Sequence, residues 1–340
     1  MDKVDVDVRK NVSKYKHESQ RKAKRSKCIL CGKGISSLCN SHSIPRFILD
    51  NIAEEGKVVN GAYALGLDYV NQEDGINRSG VFFLMCNECD NAYFSDYESE
   101  EALLREPSNR IMAEIAMKNT LQQIAKRHIE IELSALLQKK RNVYANKEVL
   151  DTINSLDVRD YVFDLKRAKK IIDKKLKSGY ILTYTTILPY VVPIAAQACI
   201  TLIRDLYKNI INDIFDLSED VRMEFIHCCI YPLANATRII LFHHKDDRKY
   251  VIFDRQFALL SEEEKIKHIN YMFFQYSENY FSSPQIKEVL ATNDSLKTLC
   301  AEYNEAPNLG VTKDVELFDK YESVPINDVP NLLSEQYKLR

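Results

Sequence analysis

Four of the nine cysteines in this 340-residue chain fall in two closely spaced pairs, Cys28-Ile-Leu-Cys31 and Cys86-Asn-Glu-Cys89. A Cys-x-x-Cys turn places two thiolates on one ion, and two such turns supply the ligands of a tetrahedral structural zinc site. The alternatives are coincidence and redox chemistry of a single pair. Two pairs in a chain that reads as cytosolic favour zinc. The 54 residues between the pairs exceed the usual ribbon spacing, so a sub-structure must be inserted between the two knuckles. Cys39 lies in that insert without a paired neighbour, and Cys199, Cys228, Cys229 and Cys300 sit in apolar surroundings that read as core.

The insert opens with Ser37-Leu38-Cys39-Asn40-Ser41-His42-Ser43-Ile44-Pro45-Arg46. This reads as a short strand running into His42 and closed by Pro45. At its far end Gly80-Val81-Phe82-Phe83-Leu84-Met85 reads as a second strand entering the second knuckle, and residues 90–98 read as a helix. His42 is the residue suited to proton transfer near neutral pH. Asp90 and Asn91 follow the second knuckle, and on one helix Glu98 would lie about 12 Å along the axis from Asp90, too far for both to reach one ion.

The order of knuckle, strand, His-x-x-Pro, strand, knuckle and helix resembles the HNH endonuclease family, in the zinc-stapled branch of the ββα-metal (His-Me finger) fold. The resemblance rests on Cys28, Cys31, the Ser-His-Ser-Ile-Pro run at 41–45, Cys86 and Cys89. It covers about residues 28–100, and the stretch that includes Asp74-Gly75, Leu84 to Asp90 and Tyr97-Glu98 is similar to a Ser-His-x-Ile-Pro subgroup. It implies metal-dependent DNA hydrolysis: His42 as general base, structural zinc on the four cysteines, and a catalytic Mg, Mn or other divalent ion held by Asp90, with Asn91 beside it. Ser41 stands where that family usually carries a metal ligand. The other reading of the same residues is a non-catalytic zinc module that binds nucleic acid or a protein.

Charge is arranged in blocks beneath a net −2. Residues 1–27 hold ten Lys/Arg against four Asp/Glu, 28–104 hold four against twelve, 105–180 seventeen against ten, and 181–340 sixteen against twenty-three. The acidic block would repel a phosphate backbone. DNA contacts therefore fall to the basic tail and to Lys139-Lys140-Arg141 and Lys166-Arg167-Ala168-Lys169-Lys170. A solvated helix face is the competing reading of each run. His243 and His244 are adjacent on an expected strand and so point to opposite faces, which keeps them off one metal.

The elements needed to hold these residues follow from periodicity. Apolar residues from Ile111 to Leu136 recur at helical spacing, as do those of 157–180, and a further helix is expected from Ile194 to Phe215. Met223–Leu233, Thr237–His243 and Tyr250–Phe257 read as a small antiparallel sheet, followed by a helix capped at Ser261. The expected class is α+β: a small N-terminal zinc-bound ββα-metal module, then a mainly α-helical region, then a small antiparallel sheet with helices. The expected division is a basic tail (1–27), the HNH-like module (28–105), a mainly helical region (106–222), an α+β region (223–305) and an irregular tail (306–340).

At 45% hydrophobic and 28% charged the chain can build a core, and nine Gly and nine Pro exclude collagen-like and low-complexity classes. The uncharged window 178–203 is long enough to span a bilayer, but Pro189, Pro193 and several hydroxyl residues mark it as buried core. With no apolar leader at the start, a cytoplasmic protein with no membrane partner is expected. A partner protein or a second copy would use the region after 105. By analogy of layout alone, a small nuclease joined to a larger domain suggests an effector of bacterial defence against phage or plasmids.

Overall fold

The computed structural model describes residues 14–34, 38–61, 73–141, 147–304, 321 and 323–339. A helix α1 covers 14–22. Next come β1 (Ser41–His42), α2 (Arg46–Asp50), β2 (Lys57–Asn60), β3 (Glu73–Gly75), β4 (Val81–Phe82), α3 (Asn87–Phe94) and α4 (Glu100–Leu104). Two long helices, α5 (Asn109–Arg141) and α6 (Lys147–Asp173), precede β5 (Tyr180–Leu188), β6 (Ile194–Ile200), β7 (Ile226–Pro232) and β8 (Thr237–His244). The chain continues through α7 (Tyr250–Ala258), α8 (Glu262–Tyr276), β9 (Tyr280–Ser282), α9 (Lys287–Thr292) and α10 (Asp294–Asn304).

A seven-stranded sheet in the order β3-β2-β9-β6-β7-β8-β5 organises these elements, and its pairings are antiparallel. Both faces of its central strands are buried. Ile194, Ala196, Ala198, Ile200, Ile226, Cys228, Ile230, Ile239 and Leu241 face a core shared with α7, α8 and the 321–333 turns. The alternate residues Ala195, Cys199, Cys229, Tyr231, Ile240 and Phe242 face the core built from α5, α6 and the cysteine-bearing segment. A strand buried on both sides loses the polar alternation that usually reveals it.

That loss explains the first correction. Ile194–Ile200 is a fully buried strand and not the start of a helix to Phe215. Its alanines favour helix, but sheet packing on two faces overrides a propensity worth only tenths of a kcal/mol per residue. Tyr250–Phe257, expected as a strand, lies in the helix Tyr250–Ala258, because Tyr250, Phe253 and Phe257 recur at three and four residues and bury one stripe. The antiparallel sheet is therefore not small, and the 106–222 segment contributes β5 and β6 to it alongside its two long helices. Strands β2 and β3 of the insert join it through β9, with Val59 opposite Ser282. The α8 start matches expectation: Ser261 accepts from the Glu264 N–H and the Glu264 carboxylate reaches back in a complete capping box. Residues 323–339 form turns and short 3₁₀ segments that bury Leu332 and Leu333, and 306–320 lie outside the described residues.

Among the described residues no helix is long and apolar enough to cross a membrane. The uncharged window 178–203 instead forms β5 and β6.

Candidate metal centre and the buried lysine beside it

The sulfur atoms of Cys28, Cys31, Cys86 and Cys89 all lie within 4.8 Å of one another. Cys31 Sγ is 4.0 Å from Cys86 Sγ. Four sulfurs about 2.3 Å from one zinc would stand roughly 3.8 Å apart, so the cluster already has the span of a tetrahedral site. Local backbone geometry makes it. In the first knuckle the Cys28 N–H donates to Lys33 O (3.0 Å) and the Gly32 N–H to Cys28 O (2.9 Å). Gly32 has φ +71°, which an L side chain rarely adopts. In the second knuckle Cys86 caps α3, and the Asp90 N–H donates to Cys86 O at 3.0 Å. The knuckles are tied together by the Ile29 N–H on Leu84 O (2.9 Å).

The chemistry of the set suits a metal. Burial alone would raise the Cys28 thiol, but N–H groups of Cys31, Cys86 and Leu30 bring it down to about 7. The Cys86 N–H reaches Cys28 Sγ at 3.4 Å. The four cysteines can hold a metal ion such as zinc, and they are the one such group among the described residues. Cys39 stands apart: its thiol donates to Asp90 Oδ2 at 3.5 Å, and burial together with the Asp90 charge raises it to about 12.

His42 lies on β1, which pairs antiparallel with β4 through Ser41–Phe82 and His42–Val81, and α3 follows the second knuckle. Gly80 is required at the entry to β4. Its φ is +67°, and a Cβ there would stand 2.5 Å from Ser43 Oγ. Adjacent strand residues face opposite ways. Ser41 points inward, 1% exposed, while the half-buried His42 ring hydrogen-bonds the Ile76 carbonyl through Nε2 at 3.2 Å. An N–H at Nε2 leaves the lone pair on Nδ1. Burial lowers the His42 pKa, and the charge of Lys118 lowers it further.

On the inner side a residue that sequence reading missed becomes central. Lys118, from the third turn of α5, is fully buried, and its ammonium Nζ donates to Ser41 Oγ (2.8 Å) and Asp90 Oδ1 (3.0 Å). It also pairs with Glu98 Oε1 at 3.1 Å and sits 3.8 Å from the Phe94 ring centroid. The Ser41 hydroxyl donates in turn to Asp90 Oδ1 at 2.7 Å. Asp90 and Glu98 thus converge on one cation, contrary to the single-helix expectation. Helix α3 stops at Phe94, and the turn through 95–97 brings Glu98 back. The cation they share is Lys118. Asn91 is exposed. One turn earlier on α5, buried Glu114 accepts from the Tyr97 N–H (3.1 Å) and pairs with Arg110 (2.9 Å), fixing the same turn.

The other sequence candidates are dispersed. Arg167 is not a phosphate contact. It holds Asp247 with both Nη atoms (2.6 and 2.8 Å) and donates to His244 Nδ1 at 3.1 Å, while Lys166 and Lys170 of the same run are exposed. His243 pairs instead with Asp254 at 2.8 Å, so the two histidines face α7 and α6 respectively and share no ligand. The side chains of Lys139, Lys140 and Arg141 lie outside the described residues. Comparison of the chain with models of protein families, with curated proteins and with solved structures finds no match.

Proposed function

We propose that residues 28–100 form a zinc-stapled, HNH-like module that binds nucleic acid without hydrolysing it, with the Lys118 ammonium in the position where a catalytic divalent ion would be held. The observation that carries this reading is the convergence of the polar groups on a buried cation. Ser41 Oγ, Asp90 Oδ1 and Glu98 Oε1 all contact the ammonium of a lysine that is fully buried. A divalent ion at Asp90 would lie beside an ammonium that cannot retreat to water, and like charges at such spacing repel strongly in a low-dielectric site.

Nucleic acid is favoured because the basic segment is docked on the module. Lys27 bridges to Gly34, and Lys24 Nζ lies 5.7 Å from the Phe83 ring centroid. Helix α1, with Arg21 and Lys22, precedes them. These cations supply the attraction that the acidic 28–104 block cannot. In this module Cys28, Cys31, Cys86 and Cys89 would hold the zinc, which staples the fold and takes no part in chemistry.

A second reading, the metal-dependent HNH endonuclease, is favoured by His42. Its ring is neutral near pH 7, with Nε2–H held by a carbonyl and Nδ1 able to accept a proton from water. In that reading Asp90 and Asn91 hold Mg or Mn, and the defence-effector role follows by analogy. One experiment separates the two. The full chain is assayed for retention of labelled DNA and for plasmid nicking with Mg²⁺, Mn²⁺ or Ni²⁺. Retention without nicking is expected. Nicking that His42→Ala abolishes would overturn the binding reading in favour of the nuclease, and absence of both activities would transfer the module to a protein partner.

A further inference from the structure

We propose that the crevice between α1, β4 and α5 is a binding site for an unpaired nucleotide of single-stranded nucleic acid. The proposal deepens the nucleic-acid reading and rests on it. The crevice encloses about 360 Å³, within the size range of small-ligand sites. His17, Arg21 and Lys24 come from the tail, Phe83 from just after β4 and His128 from α5. Among the described residues lining it there is no carboxylate, in a chain that carries 49 acidic residues. The carboxylate of Glu18 on α1 pairs with Lys22, at 3.4 Å. Apart from Gln20 the rest of the wall is apolar.

The combination selects a ligand class. A bare anion would use the cations and leave Phe83 idle. Phe83 is 39% exposed and lies outside both cores, whereas its neighbour Phe82 is 6% exposed and packed inward. An exposed ring with an ammonium beside it is what a base stacks on while the phosphates flanking it take the cations. A duplex base is paired and stacked between its neighbours, so it cannot lie on Phe83 without leaving the helix, whereas an unpaired base can. His128 adds a ring held neutral by burial and by the Arg25 charge, suited to hydrogen-bond a base edge or a sugar hydroxyl. Position adds a further argument. Val81, which lines the crevice, is the cross-strand partner of His42, so a strand seated there passes beside the Ser-His-Ser-Ile-Pro run.

The test uses the full chain and fluorescence anisotropy with labelled oligothymidine, a duplex of equal length, and unlabelled polyglutamate as competitor. Phe83→Ala should weaken oligothymidine binding about 5- to 150-fold, the range for losing one stacked base, and leave duplex binding within about twofold. Phe83→Trp should retain tight single-strand binding. Arg21→Gln with Lys24→Gln should lower the single-strand salt slope by about 1.4, because two phosphates are no longer neutralised. The crevice assignment is overturned if Phe83→Ala leaves oligothymidine affinity unchanged, if polyglutamate competes as well as oligothymidine, or if the wild type binds duplex and not single strand. Those three results leave the broader nucleic-acid reading standing. A wild type that binds neither form overturns both.

Discussion

Lys118→Met removes the buried ammonium while keeping an unbranched apolar stem of similar length. In the native protein that ammonium lies 3.0 Å from Asp90 and 3.1 Å from Glu98. At an effective dielectric of about 20 each pair contributes roughly 5 kcal/mol of attraction before the cost of burying the lysine is subtracted. Breaking a buried pair by deleting one partner costs about 3–5 kcal/mol, because the remaining charge is stranded. Here the stranded carboxylates are not sealed off: the Asp90 side chain is 17% exposed and that of Glu98 34%. Water takes part of their charge, which places the expected loss near the lower end, about 3 kcal/mol. Urea unfolding at pH 7 would read it as a shift in midpoint with the slope unchanged.

The origin of the loss is separable. If stranded charge is the cause, Asp90→Asn with Glu98→Gln in the Lys118→Met background should recover most of it, because neutral amides can hydrogen-bond one another and Ser41. The same double change in the wild type should destabilise, because it strands the lysine. If the pocket is a cation's place, millimolar Mn²⁺ should stabilise zinc-loaded Lys118→Met, approaching 2.7 kcal/mol at a hundredfold excess over its dissociation constant. Wild type should not respond. A loss below about 1 kcal/mol, or an equal loss with and without the two amide substitutions, would refute the electrostatic account. Mn²⁺ stabilisation of wild type as strong as that of the variant would refute the claim that the lysine takes the ion's place.

Elemental analysis of the purified protein should give one zinc per chain, and Cys28→Ser or Cys86→Ser should lose it and expose residues 28–100 to limited proteolysis. Deleting residues 1–26 should reduce the slope of log affinity for DNA against log salt by about 0.9 for each duplex phosphate that the segment neutralises. Glu114 predicts a pH dependence. Burial, with the Asp96 charge, raises its carboxyl to about 7 against the counter-effect of Arg110. Below the unfolded value near 4.5 it is protonated in both states. Between there and about 7 it is protonated only when folded, and stability falls as pH rises through that window. Glu114→Gln should therefore leave urea stability at pH 4.5 within about 0.5 kcal/mol and raise it at pH 8 by up to about 3 kcal/mol, and a larger gain at the acid end would reverse the sign of the argument.

How far the sequence revealed this site depends on how local each signal is. The two cysteine knuckles are set by three-residue spacing and a glycine, and the sulfurs meet as expected. The Ser261–Glu264 cap is equally local. Strand β6 was hidden because both of its faces are buried, so no alternation marked it. Lys118 was hidden for a different reason. It sits in a run, Ile111 to Leu121, whose helical period is clear, but period alone does not say that one side chain on the buried side ends in a charge. The available signal was the pair Glu114 and Lys118, one turn apart and flanked by Ile115, Met117 and Leu121, all buried. Two opposite charges four residues apart usually mark a solvated face. Here each faces a different group, Glu114 the Tyr97 amide and Lys118 the Asp90 and Glu98 carboxylates.

This placement bears on where the module ends. Its acidic groups come from residues 90–98, but the charge that balances them comes from residue 118, beyond the boundary near 105 that the motif suggests. Residues 28–105 cut out alone would keep the zinc ligands and lose the ammonium, leaving Asp90 and Glu98 facing each other across an open pocket. Such a fragment would carry the acidic pair without the ammonium that balances it in the intact chain. Residues 28–105 carry the motif, but α5 sets the charge at its centre, and an assay for metal-dependent cleavage is informative only on a chain that includes α5.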